Sequence, residues 1–123
     1  MKRVLIVDDA ATVRMYYRNA LEAMGVEVEE AVNGMEALEK GLSAPFDLYI
    51  VDINMPKLDG YGFLREIRSR SIAQVPAIMV STEAAASDRA QAFAAGANLY
   101  FTKPVKPDQL QTCVGLLLGA LRP

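Results

Sequence analysis

The apolar positions of this chain fall into two alternating kinds of run. Residues 3–7 (Arg-Val-Leu-Ile-Val) and 48–51 (Leu-Tyr-Ile-Val) place apolar side chains on both sides of a strand's pleat, as strands covered on both faces do. Residues 75–80 and 99–102 read as two further strands. Residues 26–31 begin instead as an alternation of Val and Glu. That fits an edge strand with one wet face, whose acids also discourage edge-to-edge pairing.

The stretches between these runs carry apolar residues at helical spacing. Val13, Tyr16, Tyr17, Ala20, Leu21 and Met24 form the first such face, stopped by Gly25, with the two tyrosines read as packing aromatics. Asn33 with Glu36 resembles a capping box opening a helix over Ala37, Leu38 and Leu42, closed by Ala44-Pro45. Phe63, Leu64 and Ile67 line a third helix from near Gly60. A fourth, over residues 87–95, is rich in alanine and stopped by Gly96; its short side chains bury little area, so weak docking is expected. A fifth starts near Pro107-Asp108, where a proline and an acid both suit a helix N-terminus. Its core stripe reads as Leu110, Val114, Leu117 and Leu121, widened by Leu116, Leu118 and Ala120 into apolar surface suited to a partner or a second copy.

Five strand–helix alternations with short connections and right-handed crossovers predict an α/β fold, a doubly wound parallel sheet with helices on both faces. Residues 1–123 read as one domain, without linker, repeat or low-complexity segment. Since the chain begins at Met1 and no output domain follows Pro123, a stand-alone protein is expected, against the alternative of a piece cut from a longer regulator.

Composition narrows the function. The net charge is -2, with Arg14, Arg18, Arg65, Arg68 and Arg70 read as scattered on solvated helix faces, so neither nucleic acid nor an anionic membrane is the expected partner. No secretory leader is visible and no apolar run is long enough to span a bilayer. The single Cys113, in an apolar helical stretch, reads as a buried structural thiol, which suits a reducing, cytoplasmic setting. There is no histidine, which excludes Ser-His-Asp and Cys-His catalysis and His-ligated zinc. Any histidine the chemistry requires must come from another molecule.

Four strand runs end in a polar or charged residue: Asp8 and Asp9, Asp52, Ser81, and Lys103. In a parallel sheet these ends share one edge, where open α/β sheets place ligands. Singly, each has an ordinary reading: a helix cap, a loop acid, a turn residue, a solvated charge. Together, three carboxylates repel, by about 4 kcal/mol for two unit charges ~4 Å apart at a surface-like dielectric, and invite a cation. An all-oxygen donor set points to a hard ion such as Mg²⁺, with Mn²⁺ as a substitute. A divalent ion beside Lys103 and a Ser81 hydroxyl suits phosphoryl transfer, with Asp52 attacking to give an acyl phosphate.

The motif set goes further. Val-Asp-Asp at 7–9, Val-Asp-Ile-Asn-Met-Pro at 51–56, Asp-Gly at 59–60, Ser-Thr-Glu at 81–83, Gly-Ala at 96–97 and Lys-Pro at 103–104 resemble the receiver domain of two-component response regulators, of the chemotaxis type. The resemblance covers essentially the whole chain. It implies a flavodoxin-like sheet in the order 2-1-3-4-5. It implies that Asp52 accepts a phosphoryl group from a histidine kinase or a histidine phosphotransfer protein. It further implies that the Asp9 and Asp52 carboxylates and the Asn54 backbone carbonyl bind Mg²⁺, with Asp8 acting through water, and that Lys103 and Ser81 hold phosphoryl oxygens. Tyr100 matches the family's switch aromatic, which turns inward on activation, and Lys103–Pro104 matches its usual cis peptide. Asn54 and Glu83 match the positions that tune dephosphorylation. Thr82 departs from the smaller residue usual there; its bulk crowds the acceptor's approach, or it is an exposed loop residue, and both readings stand. A downstream protein would dock on the face of the fourth helix, fifth strand and fifth helix, with a homodimer as a further use of the apolar surface.

Two other classes compete. An aspartyl-nucleophile phosphohydrolase would carry a second acid two residues after the nucleophile and a cap region; here that position is Asn54 and no cap is visible. A flavin module would need a hydroxyl- and glycine-rich phosphate loop after the first strand, where Asp8-Asp9-Ala10-Ala11 offers carboxylates instead.

Overall fold

The computed structural model describes residues 1–119. Ten elements alternate along them: β1 (Arg3–Val7), α1 (Ala11–Glu22), β2 (Glu27–Ala31), α2 (Gly34–Ser43), β3 (Leu48–Asp52), α3 (Gly60–Arg68), β4 (Ala77–Ser81), α4 (Ala86–Ala95), β5 (Leu99–Thr102) and α5 (Pro107–Leu118). All strand pairings are parallel, in the order β2-β1-β3-β4-β5. The doubly wound architecture read from the sequence, with its acidic strand at one edge, is therefore the observed one. No helix among the described residues is long and apolar enough to cross a membrane.

Strand alternation divides the core in two. Leu5, Val7, Tyr49, Val51 and Met79 face Ala37 of α2, Phe63, Leu64 and Ile67 of α3, and Ala92 and Ala95 of α4. Val4, Ile6, Leu48, Ile50, Ile78 and Val80 face Tyr17 and Leu21 of α1 and Leu110, Val114 and Leu118 of α5. With both faces covered, β1, β3 and β4 have no wet side, which is why their sequences do not alternate. Only two alanines of α4 are buried, as its composition leads one to expect.

Several side chains sit differently from the expected pattern. In α2, Leu42 is exposed and Gly41 is buried in its stead, where an added Cβ would lie 3.2 Å from Ile67 Cδ1. Helices α2 and α3 approach too closely for leucine at that position. In α5, the fully buried ladder is Leu110, Val114 and Leu118, at uniform spacing of four, while Leu117 is only partly buried. Leu121 and Ala120, also assigned to this helix's apolar surface, lie outside the described residues. Cys113 is half-buried, on the flank of that ladder. Tyr17 packs in the core, but Tyr16 is half-exposed with its hydroxyl on the Val105 carbonyl.

Three arginines read as solvated are structural. Arg14 and Arg18 of α1 hold opposite oxygens of the Glu30 carboxylate on β2, at 2.7 and 2.6 Å. Arg68 leaves α3 to donate to the Gly96 carbonyl at the end of α4. A strand acid meeting helix cations from elsewhere in the chain is a tertiary pairing with no local signature.

The Glu30 clamp has a measurable consequence. Burial opposes its ionisation and is the largest single influence, but the hydrogen bonds from Arg18 and Arg14 and their charges together hold its carboxyl below the ordinary value of 4.5. A carboxyl lowered on folding stabilises the protein above its unfolded value, and that stabilisation fades as pH falls through the folded one. Glu30→Gln is expected to lose about 1–2 kcal/mol at neutral pH and to show a shallower acid limb, the two proteins converging as pH falls through the lowered folded value. Urea denaturation across that range checks it.

Candidate functional site

The carboxyl ends of β1, β3, β4 and β5 meet at one edge of the sheet. The register pairs Asp52 with Val80 and Ser81 with Thr102, so the polar strand ends lie side by side. Asp8, Asp9 and Asp52 each place a carboxylate oxygen within 4.8 Å of the others. Lys103 Nζ stands between two of them, 3.1 Å from Asp8 Oδ2 and 3.2 Å from Asp52 Oδ1. Asp8 and Asp52 are 1% and 6% exposed, whereas Asp9 is open to solvent.

Local backbone chemistry fixes these positions. Asp8 caps no helix; its Oδ1 accepts the Ala10 N–H at 2.9 Å, folding the β1–α1 turn back on itself, while Oδ2 takes Lys103. Arg14 donates to the Asp8 carbonyl at 2.7 Å, tying that turn to the Glu30 clamp. Beyond Asp52, the Gly60 N–H returns to the Ile53 carbonyl at 2.8 Å. An added Cβ on Gly60 would lie 2.4 Å from the Asp52 carbonyl oxygen, so only glycine lets α3 start this close to the end of β3. Lys57 and Leu58, at φ 52° and 85°, make the intervening turn, and their carbonyls are captured by the first amides of α2. Asp59 caps α3 through the Gly62 N–H.

The electrostatics are unbalanced toward a cation. Three carboxylates against one ammonium leave two negative charges in surplus, the complement of one divalent ion. Burial, and then the Asp8 charge, push the Asp52 carboxyl above its ordinary value despite Lys103. Burial alone would lower the Lys103 amine, but the hydrogen bonds and charges of Asp8 and Asp52 outweigh it and raise the amine. Oxygen donors in this number and charge suit a hard, partly hydrated ion; Mg²⁺ fits the residues present.

The remaining predicted residues lie around this centre. Asn54 is exposed in the loop after β3, and Thr82 and Glu83 are exposed after β4. Ser81 is fully buried, and its Oγ accepts the Glu83 N–H at 3.0 Å. Tyr100 occupies the inward position: it is 5% exposed, its hydroxyl donates to the Glu83 carbonyl, and the Arg89 guanidinium covers its ring at 5.0 Å. The Lys103–Pro104 bond is cis.

Sequence reasoning passed over three neighbours of the centre. Arg14 and the close approach of Gly60 are two; only the Asp-Gly pair at the helix start hinted at the latter. The third is Tyr17, whose phenol is raised by burial and then by the nearby charges of Asp8 and Asp52. It lines, with Val13, Tyr16, Lys103 and Pro104, an apolar cavity of about 360 Å³ between α1 and the turn after β5.

Comparison with known proteins agrees with this geometry. The sequence profile of the response regulator receiver domain matches residues 4–115. The chain is 37% identical over 120 residues to the chemotaxis protein CheY1 of Helicobacter pylori, covering 95% of this chain and 97% of that one. It is 38% identical over 116 residues to the transcriptional regulatory protein ResD of Bacillus subtilis, covering 94% of this chain but 48% of ResD. It thus spans about half of that relative, and only 14% of the H. pylori sensor histidine kinase CheAY, to which it is 38% identical over 115 residues. Among solved structures, the chemotaxis response regulator CheY4 of Vibrio cholerae superposes with a TM-score of 0.89 at 35% identity, over 95% of this chain and 98% of that one.

Proposed function

The chain belongs to the response regulator receiver family, and on that premise we propose that residues 1–123 work as a single phosphoryl-accepting switch. Asp52 takes a phosphoryl group from a phosphohistidine of a histidine kinase or a histidine phosphotransfer protein. The observation that carries this reading is the convergence of Asp8, Asp9, Asp52 and Lys103 on one sheet edge. The chain has no histidine of its own, so the donor imidazole belongs to the other molecule.

The Asp52 carboxylate attacks phosphorus, the bond to the donor nitrogen breaks, and an acyl phosphate forms. Asp9, Asp52 and the Asn54 backbone carbonyl would hold Mg²⁺, with Asp8 acting through water. When bound, the ion supplies neutralisation of the phosphoryl oxygens. Lys103, already beside Asp52, moves its charge to one of those oxygens, and the Ser81 hydroxyl donates to another. Asn54, Thr82 and Glu83 border the path of the hydrolytic water and set how long the acyl phosphate lasts. The protein is thereby an acceptor that catalyses its own transfer and its own slow dephosphorylation, and no enzyme with a separate substrate.

Signalling follows from differential binding. The hydrogen bonds from Tyr100 to Glu83 and from Glu83 to Ser81 link the switch aromatic to the hydroxyl that meets the phosphoryl group. A phosphoryl group that draws Ser81 toward Asp52 favours one position of Tyr100 and so one shape of the α4–β5–α5 face. Moving that balance from 1:99 to 99:1 requires about 5.5 kcal/mol of differential affinity. On this face Phe93 is 49% and Leu116 66% exposed, apolar area that suits a downstream protein or a second copy of the chain. Light scattering that finds a monomer with and without phosphorylation would remove the second copy.

The test is direct. Incubation with Mg²⁺ and acetyl phosphate or phosphoramidate is expected to add the mass of one phosphoryl group, labile to hydroxylamine. No adduct, or one that forms equally well in EDTA, would overturn the reading.

A further inference from the structure

Among the described residues, one side-chain oxygen is sealed from solvent and meets no hydrogen-bond partner: Oγ1 of Thr102. Such a group is disfavoured by its lost hydration, and folded proteins hold few of them. Its position gives the orphan hydroxyl a use. Thr102 pairs with Ser81 in the β4–β5 register and is followed directly by Lys103, whose N–H donates to the Ser81 carbonyl at 2.7 Å. Alternation puts Thr102 on the same face of the sheet as Tyr100. Paired residues on one face of neighbouring strands, ~4.8 Å apart, bring their hydroxyls within hydrogen-bond reach by side-chain rotation alone.

In this structure the two hydroxyls are not bonded to each other. Ser81 Oγ takes the Glu83 N–H, and the Glu83 carbonyl takes the Tyr100 hydroxyl, which holds the aromatic inside. This arrangement uses Ser81 as an acceptor and Tyr100 as a donor and leaves Thr102 out. An outward Tyr100 would free the Glu83 carbonyl and so remove one anchor of the residue whose N–H holds Ser81.

We propose that Thr102 is a positioning residue for phosphoryl transfer: its hydroxyl is a second partner for Ser81, used when Tyr100 is turned outward, and it weighs the equilibrium against the arrangement seen here. The assignment rests on the phosphoacceptor reading above. In the outward arrangement the Ser81 proton goes to Thr102 Oγ1, and Ser81 is held off the approach to Asp52. In the inward one Ser81 is free to meet a phosphoryl oxygen, and the orphaned Thr102 limits how far that arrangement dominates.

Thr102→Val keeps the shape and removes the oxygen; Thr102→Ser keeps the oxygen and removes a methyl. The valine variant is expected to raise the inward-to-outward ratio about five- to tenfold, the weight of one hydrogen bond, and the initial rate of phosphorylation by acetyl phosphate with it up to the limit of full inward occupancy, with the serine variant within about twofold of the parent. The gain should appear as a lower half-saturating donor concentration, with the rate at saturation unchanged, because only the competent fraction has grown. Independently of phosphate, the Glu83 amide should exchange with D₂O several-fold more slowly in unmodified Thr102→Val.

Two results overturn the proposal. One is a valine variant that melts higher, with the Glu83 exchange and the phosphorylation rate both unchanged; the hydroxyl is then a structural defect only. The other is a folded valine variant that phosphorylates more slowly, since the sign is then wrong. Should the parent protein take up no phosphate, the phosphoacceptor reading falls, whereas the amide exchange of the unmodified variants still decides whether Thr102 biases the aromatic.

Discussion

Asp52→Asn is expected to take up no phosphate and to melt at a higher temperature than the parent protein at neutral pH. The two effects share one cause. Asp52 is buried beside Asp8, and burial followed by that neighbouring charge pushes its carboxyl above the ordinary value in spite of Lys103. An acid raised on folding destabilises the native state wherever it is ionised, so stability falls as pH climbs through the folded value. An amide of the same shape removes that burden, leaving Lys103 to Asp8 alone at 3.1 Å. The expected gain is roughly 1–3 kcal/mol, shrinking as pH is lowered until both side chains are neutral. The amide is also no nucleophile, so incorporation from acetyl phosphate drops to background in mass spectra. Thermal melts in EDTA at two pH values read the stability arm. Equal adducts on parent and variant would remove Asp52 as the acceptor. A variant that melts lower at neutral pH would mean that Lys103 more than offsets the burial of Asp52.

This conflict between stability and chemistry explains what the sequence could and could not disclose. The architecture was legible because β1, β3 and β4 are apolar on both faces and β2 is not; burial on two sides of a central strand leaves no other pattern. The grouping of Asp8, Asp52 and Lys103 was legible for a related reason. A charged residue that ends a buried strand has no local reason to be there, and parallel topology carries all such ends to one edge. What escaped was tertiary. Nothing near Glu30 announces that Arg14 and Arg18 will share it, since helix spacing sees neighbours within one element only. Leu117 and Leu118 could not be ranked by period, because the positions seven and eight residues on from Leu110 both fall within an apolar stripe about 100° wide. The orphan oxygen of Thr102 is invisible in a strand that reads simply as Leu-Tyr-Phe-Thr.

Lys103→Met is expected to be the mirror image of Asp52→Asn: less stable without metal, rescued by it, and slow to accept phosphate. Lys103 is the only cation paired with the carboxylates of Asp8 and Asp52 among the described residues, and both acids are buried. Removing one partner of a buried ion pair typically costs about 3–5 kcal/mol, because the remaining charge keeps its desolvation and loses its attraction. Here two carboxylates are stranded together, and methionine fills the stem's volume without returning any charge. A divalent cation at the three carboxylates supplies that charge, so saturating Mg²⁺ should recover most of the loss, ~2.7 kcal/mol at a hundred times its dissociation constant. Acid should recover it too, by neutralising the carboxyls. The alkaline side brings the two proteins together as well. The Lys103 amine, raised on folding by Asp8 and Asp52, stabilises the parent fully below its ordinary value of 10.5 and ceases to do so as pH rises through the folded one. The parent therefore carries an alkaline loss that Lys103→Met lacks. Mg²⁺ is not expected to restore the rate: in the proposed transfer the ammonium also serves the phosphoryl oxygens, and losing one such donor slows the reaction by ~10²–10³-fold. Lys103→Arg should regain part of the stability and little of the rate, since a planar guanidinium cannot take the place of a compact ammonium in a position this enclosed. Melts in EDTA and in Mg²⁺, beside phosphorylation rates in Mg²⁺, separate the two roles. A methionine variant with the parent's melting temperature in EDTA would mean that the acids are not held by this lysine, and one with the parent's rate would remove it from the transfer.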